Sequence, residues 1–318
     1  MRIGQNPAKF VKEVARPERI TVAVLNYIPF LSGFYAEALD VLKVCLESAR
    51  NDPGLPFDLL VFDNASCEEV RQYLLDEHQA GRIQYLFLSE KNLGKGGAWN
   101  IILAGAPGEI IAYADSDVLF SPGWLKRSVE LLETYPRVGM VTARPFRTRE
   151  EYMTATLEWA QRTQEVQVEE GQLIPWEVFL EFDLSLGQSE EEIRQRYEST
   201  RDVRLTYRGV PAFVGASHWQ FTAWKTTLQN FLPFSMDRPM GQVKQLDERM
   251  NAAGFLRLMT AEPLAMNMSN TLRGVQRAGS APASQPVRRK VSPLLEFPPI
   301  KKGLLSLYDS IFRWYYDR

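Results

Sequence analysis

The first half of the chain alternates short apolar runs with longer segments of helical periodicity. The apolar runs have the length of buried strands, and they predict strands at residues 20–25, 57–62, 83–88, 110–114 and 138–142. Apolar residues three and four positions apart predict helices over residues 35–50, 68–79, 98–104 and 121–133. Alternating strands and helices are typical of a mostly parallel sheet flanked by helices.

The pattern changes after residue 147. Residues 148–208 are charged and helix-prone, which predicts a helical insertion or lid. Apolar patterning then predicts a strand at 210–214 and helices at 222–230 and 243–253, and Ala, Pro, Ser and Arg dominate a linker before a final amphipathic helix. We therefore expect five parts: an N-terminal extension (1–19), a first half of the sheet domain (20–147), the insertion (148–208), a second half of the sheet domain (209–277), and a linker with a C-terminal helix (278–318).

Composition narrows the class of protein. The 318 residues include 39 acidic and 37 basic side chains, so the net charge of −2 gives no electrostatic case for a nucleic-acid partner. Two cysteines are too few for a disulfide framework, and no run of about 20 apolar residues is present. The N-terminus lacks the apolar run of a signal peptide. We expect a cytoplasmic enzyme.

An acidic triplet, Asp115-Ser116-Asp117, follows the fourth predicted strand. Side chains alternate faces in an extended segment, so both carboxylates point the same way at the carboxyl edge of the sheet, where open α/β sheets bind ligands. Oxygen ligands of this kind suit Mg²⁺ or Mn²⁺ and leave positions open for a diphosphate. The alternative is a helix cap or a solvated acidic turn.

Two further polar segments follow strands at the same edge. Asp63-Asn64-Ala65-Ser66 follows the second strand, and we expect Asp63 to accept a hydrogen bond from a nucleoside base, although a plain strand-to-helix turn would also explain Asn64 and Ser66. Residues 92–97 supply glycines, a helix N-terminus and Lys95 for phosphate or nucleoside contacts. Their alternative is a flexible connection, and the Gly-Lys-Ser/Thr ending of a Walker loop is missing.

Taken in order, these motifs resemble family 2 glycosyltransferases of the GT-A fold: Asn26-Tyr27, then Asp63, then Asn92-x-Gly-x-Gly with Asn100, then Asp115-Ser116-Asp117 followed by Pro122-Gly123-Trp124. The resemblance implies a Rossmann-like sheet and a nucleoside-diphosphate sugar donor, with uridine as the default base. It implies donor contacts from Asn26, Tyr27, Asp63, Asn92, Gly94, Lys95, Asn100, Asp115, Ser116 and Asp117.

The resemblance continues more faintly in the second half. Leu246-Asp247-Glu248 precedes a helix ended by Gly254, and here Leu246 replaces the first acid of the family's Glu-Asp pair. Asp247 then aligns with the family's catalytic base, with Glu248 as a substitute. The alternative is that both are acids favoured in the first turn of a helix. Relatives often carry a metal-ligating histidine further on, where this chain has Asn267, so the implied ligands of Mn²⁺ or Mg²⁺ are Asp115, Asp117 and Asn267.

The implied reaction is inverting transfer of a sugar to a hydroxyl of a glycan or lipid-linked glycan. A retaining transferase, a sugar nucleotidyltransferase and a non-catalytic sugar-binding protein stay open as alternatives. His218, one of two histidines, either lines the acceptor site or is packed. The C-terminal helix predicts contact with a membrane surface, with its own domain or with a second subunit.

Overall fold

The computed structural model describes residues 4–237 and 243–272. The chain divides into two units, Met1–Gly274 and Val275–Arg318, and the described residues all belong to the first. The linker and amphipathic helix predicted at 278–318 lie outside the described residues.

Strands and helices alternate along the described chain. The strands are β1 (Ile20–Asn26), β2 (Asp58–Asn64), β3 (Tyr85–Ser89), β4 (Ile110–Asp115), β5 (Val118–Phe120), β6 (Val138–Thr142), β7 (Gln167–Gly171), β8 (Asp202–Tyr207), β9 (Val210–Val214), β10 (Gln220–Trp224), β11 (Leu256–Thr260) and β12 (Ala265–Asn267). The helices are α1 (Ala38–Arg50), α2 (Glu68–Gln79), α3 (Gly94–Gly105), α4 (Trp124–Thr134), α5 (Thr154–Arg162), α6 (Trp176–Ser185), α7 (Glu190–Ser199), α8 (Lys225–Gln229) and α9 (Val243–Ala252).

One 10-stranded sheet has the order β3-β2-β1-β4-β10-β6-β11-β9-β8-β7, and β5 pairs with β12 in a separate ribbon. Strands β1 to β4, β6, β8 and β11 run one way, and β7, β9 and β10 run the other. The expected mostly parallel α/β sheet is therefore confirmed. In its register Asn26 pairs with Asp63 and Leu25 with Asp115, so the polar segments after β1, β2 and β4 share one edge.

Strand β10 corrects one prediction. Residues 222–230 were expected to form a helix, but Gln220–Trp224 is an antiparallel strand inserted between β4 and β6, and only Lys225–Gln229 is helical. Residues 220–223 are buried. A short run covered on both sides shows no clear periodicity, so sequence alone does not distinguish a buried strand from a helix.

The segment at 148–208 contains the helices that its sequence predicts, α5 to α7. It also contains two strands that were not predicted, β7 and β8, which extend the sheet beyond β9. Glu169 and Glu170 lie exposed on β7, the last strand of the sheet. Charged side chains are common on edge strands because they oppose pairing with other chains, and they make such a strand resemble a solvated helix in sequence.

The core beneath the polar edge joins both halves of the chain. Trp99 of α3 contacts Tyr113 of β4 and Phe221 of β10 edge-on, with ring centroids 5.3 and 5.8 Å away, and Tyr113 stacks on Phe221 at 5.1 Å. All three rings are buried. This rigid cluster lies directly below Asp115. Among residues 4–237 and 243–272, no helix has the length and apolar character needed to cross a membrane.

Candidate functional site

At the ends of β1 and β2, Asp63 organises a small buried network. Its Oδ1 accepts from Asn26 Nδ2 at 3.0 Å, and its Oδ2 accepts from the Ser66 amide at 3.1 Å. Ser66 Oγ in turn accepts from Asn26 Nδ2 and from the Ile28 amide, each at 2.9 Å. Asp63 is 0% exposed, so the carboxylate that the sequence assigns to a base is used within the protein to order this loop. Tyr27 lies half-buried beside it.

The start of α3 is fixed by two asparagines. Asn64 Nδ2 donates to Asn92 Oδ1 at 2.9 Å, Asn64 Oδ1 accepts from the Leu93 amide at 2.8 Å, and Asn92 Oδ1 also accepts from the Gly94 amide at 2.8 Å. Gly94 has a φ of +65°, a left-handed conformation that favours glycine. The first turn of α3 is thereby held at the polar edge.

Lys95, in that first turn, is paired with the first carboxylate of the acidic triplet. Its Nζ lies 2.7 Å from the Asp115 carboxylate, whose Oδ1 also accepts from Tyr113 Oη at 2.6 Å. Burial and the Asp115 charge both raise the pKa of Tyr113, so this hydroxyl keeps its proton and donates. Asp115 is therefore already satisfied by two donors.

Asp117 is in the opposite condition. Its Oδ1 is buried and has no hydrogen-bond partner among the described residues. Burial, and next the repulsion from Asp115, raise the pKa of Asp117 from 3.8 to about 7, against the attraction of Lys95. A buried carboxylate without a partner is costly, and a bound cation would remove that cost. Asp117 thus fits the predicted role of metal ligand better than Asp115 does.

Asn267 is brought to the same place by the β5–β12 ribbon. It pairs with Val118, and the Met268 amide donates to the Asp117 carbonyl at 2.8 Å. Its own Oδ1 accepts from the Ser269 amide at 2.7 Å. In the part of the chain that the structure describes, no cluster of three His, Cys, Asp or Glu residues suits a metal. Asp117 Oδ1 and the Asn267 amide oxygen are donors of the kind that Mg²⁺ and Mn²⁺ prefer, and a cation held by them alone would need water or diphosphate oxygens as further ligands.

The predicted base, Asp247 of α9, is buried between two partners. Its Oδ2 lies 2.8 Å from His218 Nδ1, and its Oδ1 accepts from Arg257 Nη2 at 2.5 Å. Leu246, which replaces the family's first acid, is buried in the core, whereas Glu248 is exposed. The structure therefore joins Asp247, and not Glu248, to the histidine left open by the sequence.

The turn that carries His218 lies beside the end of β4, where the acidic triplet begins. The Asp115 amide donates to the Trp219 carbonyl at 2.9 Å, so His218 precedes the residue that pairs with the acidic triplet. The Ser217 amide donates to Thr142 Oγ1 at 2.9 Å, which holds the same turn against β6. Asp117, Lys95 and the His218–Asp247 pair consequently occupy one edge of the sheet.

Asn100 is placed differently from the other predicted donor residues. Its Nδ2 donates to the Phe234 carbonyl at 2.9 Å and its Oδ1 accepts from the Phe234 amide at 2.7 Å, so its amide ties α3 to the segment after α8. Ser116 lies half-buried between the two aspartates. Sequence reasoning missed Arg257, because a lone arginine in the apolar run of β11 gives no sign of its partner.

Part of the chain is similar in sequence to known glycosyltransferases. The sequence model of glycosyl transferase family 2 matches residues 33–186. An uncharacterized glycosyltransferase of Nostoc sp. is 33% identical over 126 residues, which are 39% of this chain and 35% of the relative. Chondroitin synthase of Escherichia coli is 31% identical over 110 residues, or 34% of this chain and 16% of the relative. The chain thus spans about a third or less of the length of these curated relatives.

Among solved structures, a mannosyltransferase from Pyrobaculum calidifontis in complex with GDP-Man and Mn²⁺ is 18% identical. The alignment covers 79% of this chain and 56% of that one, with a TM-score of 0.44.

Proposed function

We propose that this chain, whose residues 33–186 match the sequence model of glycosyl transferase family 2, is a glycosyltransferase of that family and transfers a sugar from a nucleoside-diphosphate donor to a hydroxyl of a glycan or lipid-linked glycan. The observation that carries the proposal is the buried, unpartnered carboxylate of Asp117 at the carboxyl edge of the sheet. Beside it lie Lys95, the amino end of α3 and the His218–Asp247 pair. A diphosphate needs the Asp117 carboxylate with a bound cation, and an attacking hydroxyl needs the His218–Asp247 pair.

The donor nucleoside is placed at the ends of β1 and β2, with uracil as the base by family resemblance. Asn26, Tyr27 and the loop ordered by Asp63 would form its pocket, with Asp63 acting through Asn26 and Ser66 because it is itself buried. Asn92 and Gly94 shape the first turn of α3, whose free amides favour phosphate oxygens. Asn100 supports this turn from within the helix.

Asp117 is the principal proposed ligand of Mn²⁺ or Mg²⁺, with Asp115 and Asn267 beside it. A divalent cation bound there supplies positive charge that stabilises the departing diphosphate. Lys95 holds Asp115 in place and adds a fixed positive charge next to the diphosphate position. Ser116 lies between the two carboxylates, in the turn that joins β4 to β5.

The proposed reaction is a single displacement with inversion at the anomeric carbon. The acceptor oxygen forms the new bond as the bond to the diphosphate oxygen breaks with its electron pair, and the acceptor proton passes to a base in the His218–Asp247 pair. In this proposal, residues 148–208 and 209–277 bind the acceptor and determine which acceptor is used. Peripheral membrane contact or a second subunit is assigned to the C-terminal helix predicted at 303–318, outside the described residues.

A panel of nucleoside-diphosphate sugars, assayed with and without Mn²⁺ for binding and for release of the nucleotide, tests this function. We expect metal-dependent turnover in the parent protein and a loss of at least a hundredfold in Asp117→Ala, because the diphosphate charge is no longer balanced. Asp76→Ala removes an exposed carboxylate of α2 and serves as the matched control. Equal turnover in Asp117→Ala and the parent contradicts the proposal, and release of pyrophosphate indicates a nucleotidyltransferase instead.

A further inference from the structure

Both oxygens of the Asp247 carboxylate already have a partner within the described residues. Arg257 Nη2 occupies Oδ1, and the His218 ring occupies Oδ2. Asp247 is itself buried. A base must come within hydrogen-bond reach of the proton that it takes, so Asp247 is poorly placed to take it directly.

Arg257 is the buried partner of the Asp247 carboxylate. Its side chain is 1% exposed, and Nη2 also donates to the Ala216 carbonyl at 2.6 Å while Nη1 donates to the Tyr152 carbonyl at 2.6 Å. Two carbonyls and one carboxylate thus fix the guanidinium in position. A buried guanidinium so close to a carboxylate requires the negative charge as its counterion.

The Asp247 carboxylate fixes the tautomer of His218. A carboxylate only accepts hydrogen bonds, so Nδ1 must carry the proton that it shares with Asp247 Oδ2, and Nε2 is left with its lone pair. Within the described ranges, 4–237 and 243–272, no residue bonds Nε2, and the side chain is 28% exposed. Nε2 is therefore the ring nitrogen that the described residues leave available to a ligand.

The backbone holds this ring at the site. His218 lies between Ser217, whose amide donates to Thr142 Oγ1, and Trp219, whose carbonyl accepts from the Asp115 amide at 2.9 Å. The charged groups that contact the ring or its turn are Asp247 from α9, Arg257 from β11, and Asp115 at the end of β4. The histidine is thus adjacent to the proposed diphosphate position.

From this geometry we infer that His218 is the catalytic base of the proposed transfer, with Asp247 and Arg257 as its positioning residues. The inference rests on the proposed function. In the step, Nε2 takes the acceptor hydroxyl proton as the acceptor oxygen bonds to the anomeric carbon, and the electron pair of the broken bond leaves with the diphosphate. The imidazolium stays paired with Asp247 and then returns its proton to water. Asp247 stabilises the positive ring and fixes its orientation, as a buried carboxylate does for other catalytic histidines.

The test compares His218→Gln with His78→Gln, a control that removes the other histidine of the chain, which is exposed on α2 and whose Nδ1 lies near the Ile83 carbonyl. We expect His218→Gln to lower kcat by about 10²- to 10⁴-fold, the usual contribution of a general base, with Mn²⁺-dependent binding of nucleoside diphosphate unchanged. His78→Gln should match the parent. A kcat within threefold of the parent in His218→Gln overturns the inference.

The role of Asp247 is tested by Asp247→Asn and the pH profile of kcat. Without its carboxylate the protonated ring loses its partner, so the acidic limb of the profile moves to lower pH, with a smaller loss of kcat than in His218→Gln. If Asp247 is itself the base, Asp247→Asn loses more kcat than His218→Gln and the inference fails.

Chemical rescue covers the case of a damaged fold. Free imidazole should restore turnover to His218→Gly but not to Asp117→Ala, and no restoration in a His218→Gly protein that still binds nucleoside diphosphate overturns the inference. Failure of the proposed function looks different, because the parent protein itself then turns over no donor in the panel.

Discussion

At the scale of single residues, the two aspartates of one triplet have opposite environments. Asp115 is satisfied by Lys95 and Tyr113, whereas Asp117 Oδ1 is buried without a partner among the described residues. Burial and the neighbouring Asp115 raise the pKa of Asp117 to about 7. The triplet therefore contains one fixed anion and one carboxylate that is stable only when protonated or bound to a cation.

The first prediction concerns the stability of the metal-free protein. The folded-state pKa of Asp117 lies above the unfolded value, so the associated stability is present below pH 4 and is lost as the pH rises through about 7. Asp117→Asn removes this loss, and we expect the variant to be more stable than the parent by about 1–4 kcal/mol at pH 8 but not at pH 4. Urea unfolding in a chelator measures the difference.

With Mn²⁺ bound, the parent should become more stable than Asp117→Asn at pH 8. The cation binds ionised Asp117, so it should raise the Tm of the parent more at pH 8 than at pH 5 and leave Asp117→Asn almost unchanged. Asp76→Asn, an exposed substitution on α2, should follow the parent throughout. If Asp117→Asn loses stability with rising pH as steeply as the parent, the assignment of this loss to Asp117 is wrong.

At the scale of secondary-structure elements, a buried ion pair joins α9 to β11. Asp247 and Arg257 are both buried, and Arg257 also contacts the carbonyls of Tyr152 and Ala216. The pair thus fixes the turn before β10 and the segment before α5 relative to the helix. Burying such a pair adds little net stability, but removing one member leaves the other as an uncompensated charge.

The second prediction follows from that asymmetry. Arg257→Met should lower the free energy of unfolding by about 3–5 kcal/mol, because Asp247 is left buried without its counterion. The double variant Arg257→Met with Asp247→Leu should recover most of this loss. Denaturant unfolding of the single and double variants forms a double-mutant cycle. A double variant as unstable as the two single losses combined would mean that the pair is not coupled.

The elements that sequence predicted well are those whose pattern is local. Helix α2 and strands β6 and β9 match their predicted ranges, because each run carries one clear pattern between turn signals. Strand β10 was missed because the burial of Thr222 and Ala223 between two other strands decides its conformation. Similarly, the triplet was identified at the end of its strand, but the pairing of Asp247 with His218 and Arg257 depends on contacts that no local pattern encodes.

At the scale of the whole molecule, the described chain is held together by a few polar ties across its two halves. Asn100 of α3 exchanges two hydrogen bonds with the backbone of Phe234. Arg144, buried after β6, donates to the carbonyls of Ala265 and Val178 and to Glu181. These ties connect the half that carries the acidic triplet to the half that carries Asn267.

The third prediction separates support from binding at Asn100. Asn100→Ala leaves the amide and carbonyl of Phe234 unpaired in a half-buried setting, so we expect a loss of about 1–3 kcal/mol in the free energy of unfolding. Binding of nucleoside diphosphate should weaken by less than tenfold, as titration calorimetry would measure. A large loss of affinity with unchanged stability would instead place Asn100 in direct contact with the donor.

Strand β10 has a consequence for how the chain is made. Its partners β4 and β6 are synthesised long before it, since about a hundred residues separate Asp115 from the Trp219 to which it is bonded. Until β10 leaves the ribosome, the apolar strand β4 has one unpaired side, which is a template for aggregation. A nascent chain stopped after β6 would therefore need a chaperone. A chain stopped after β12 could already have β10 paired between β4 and β6.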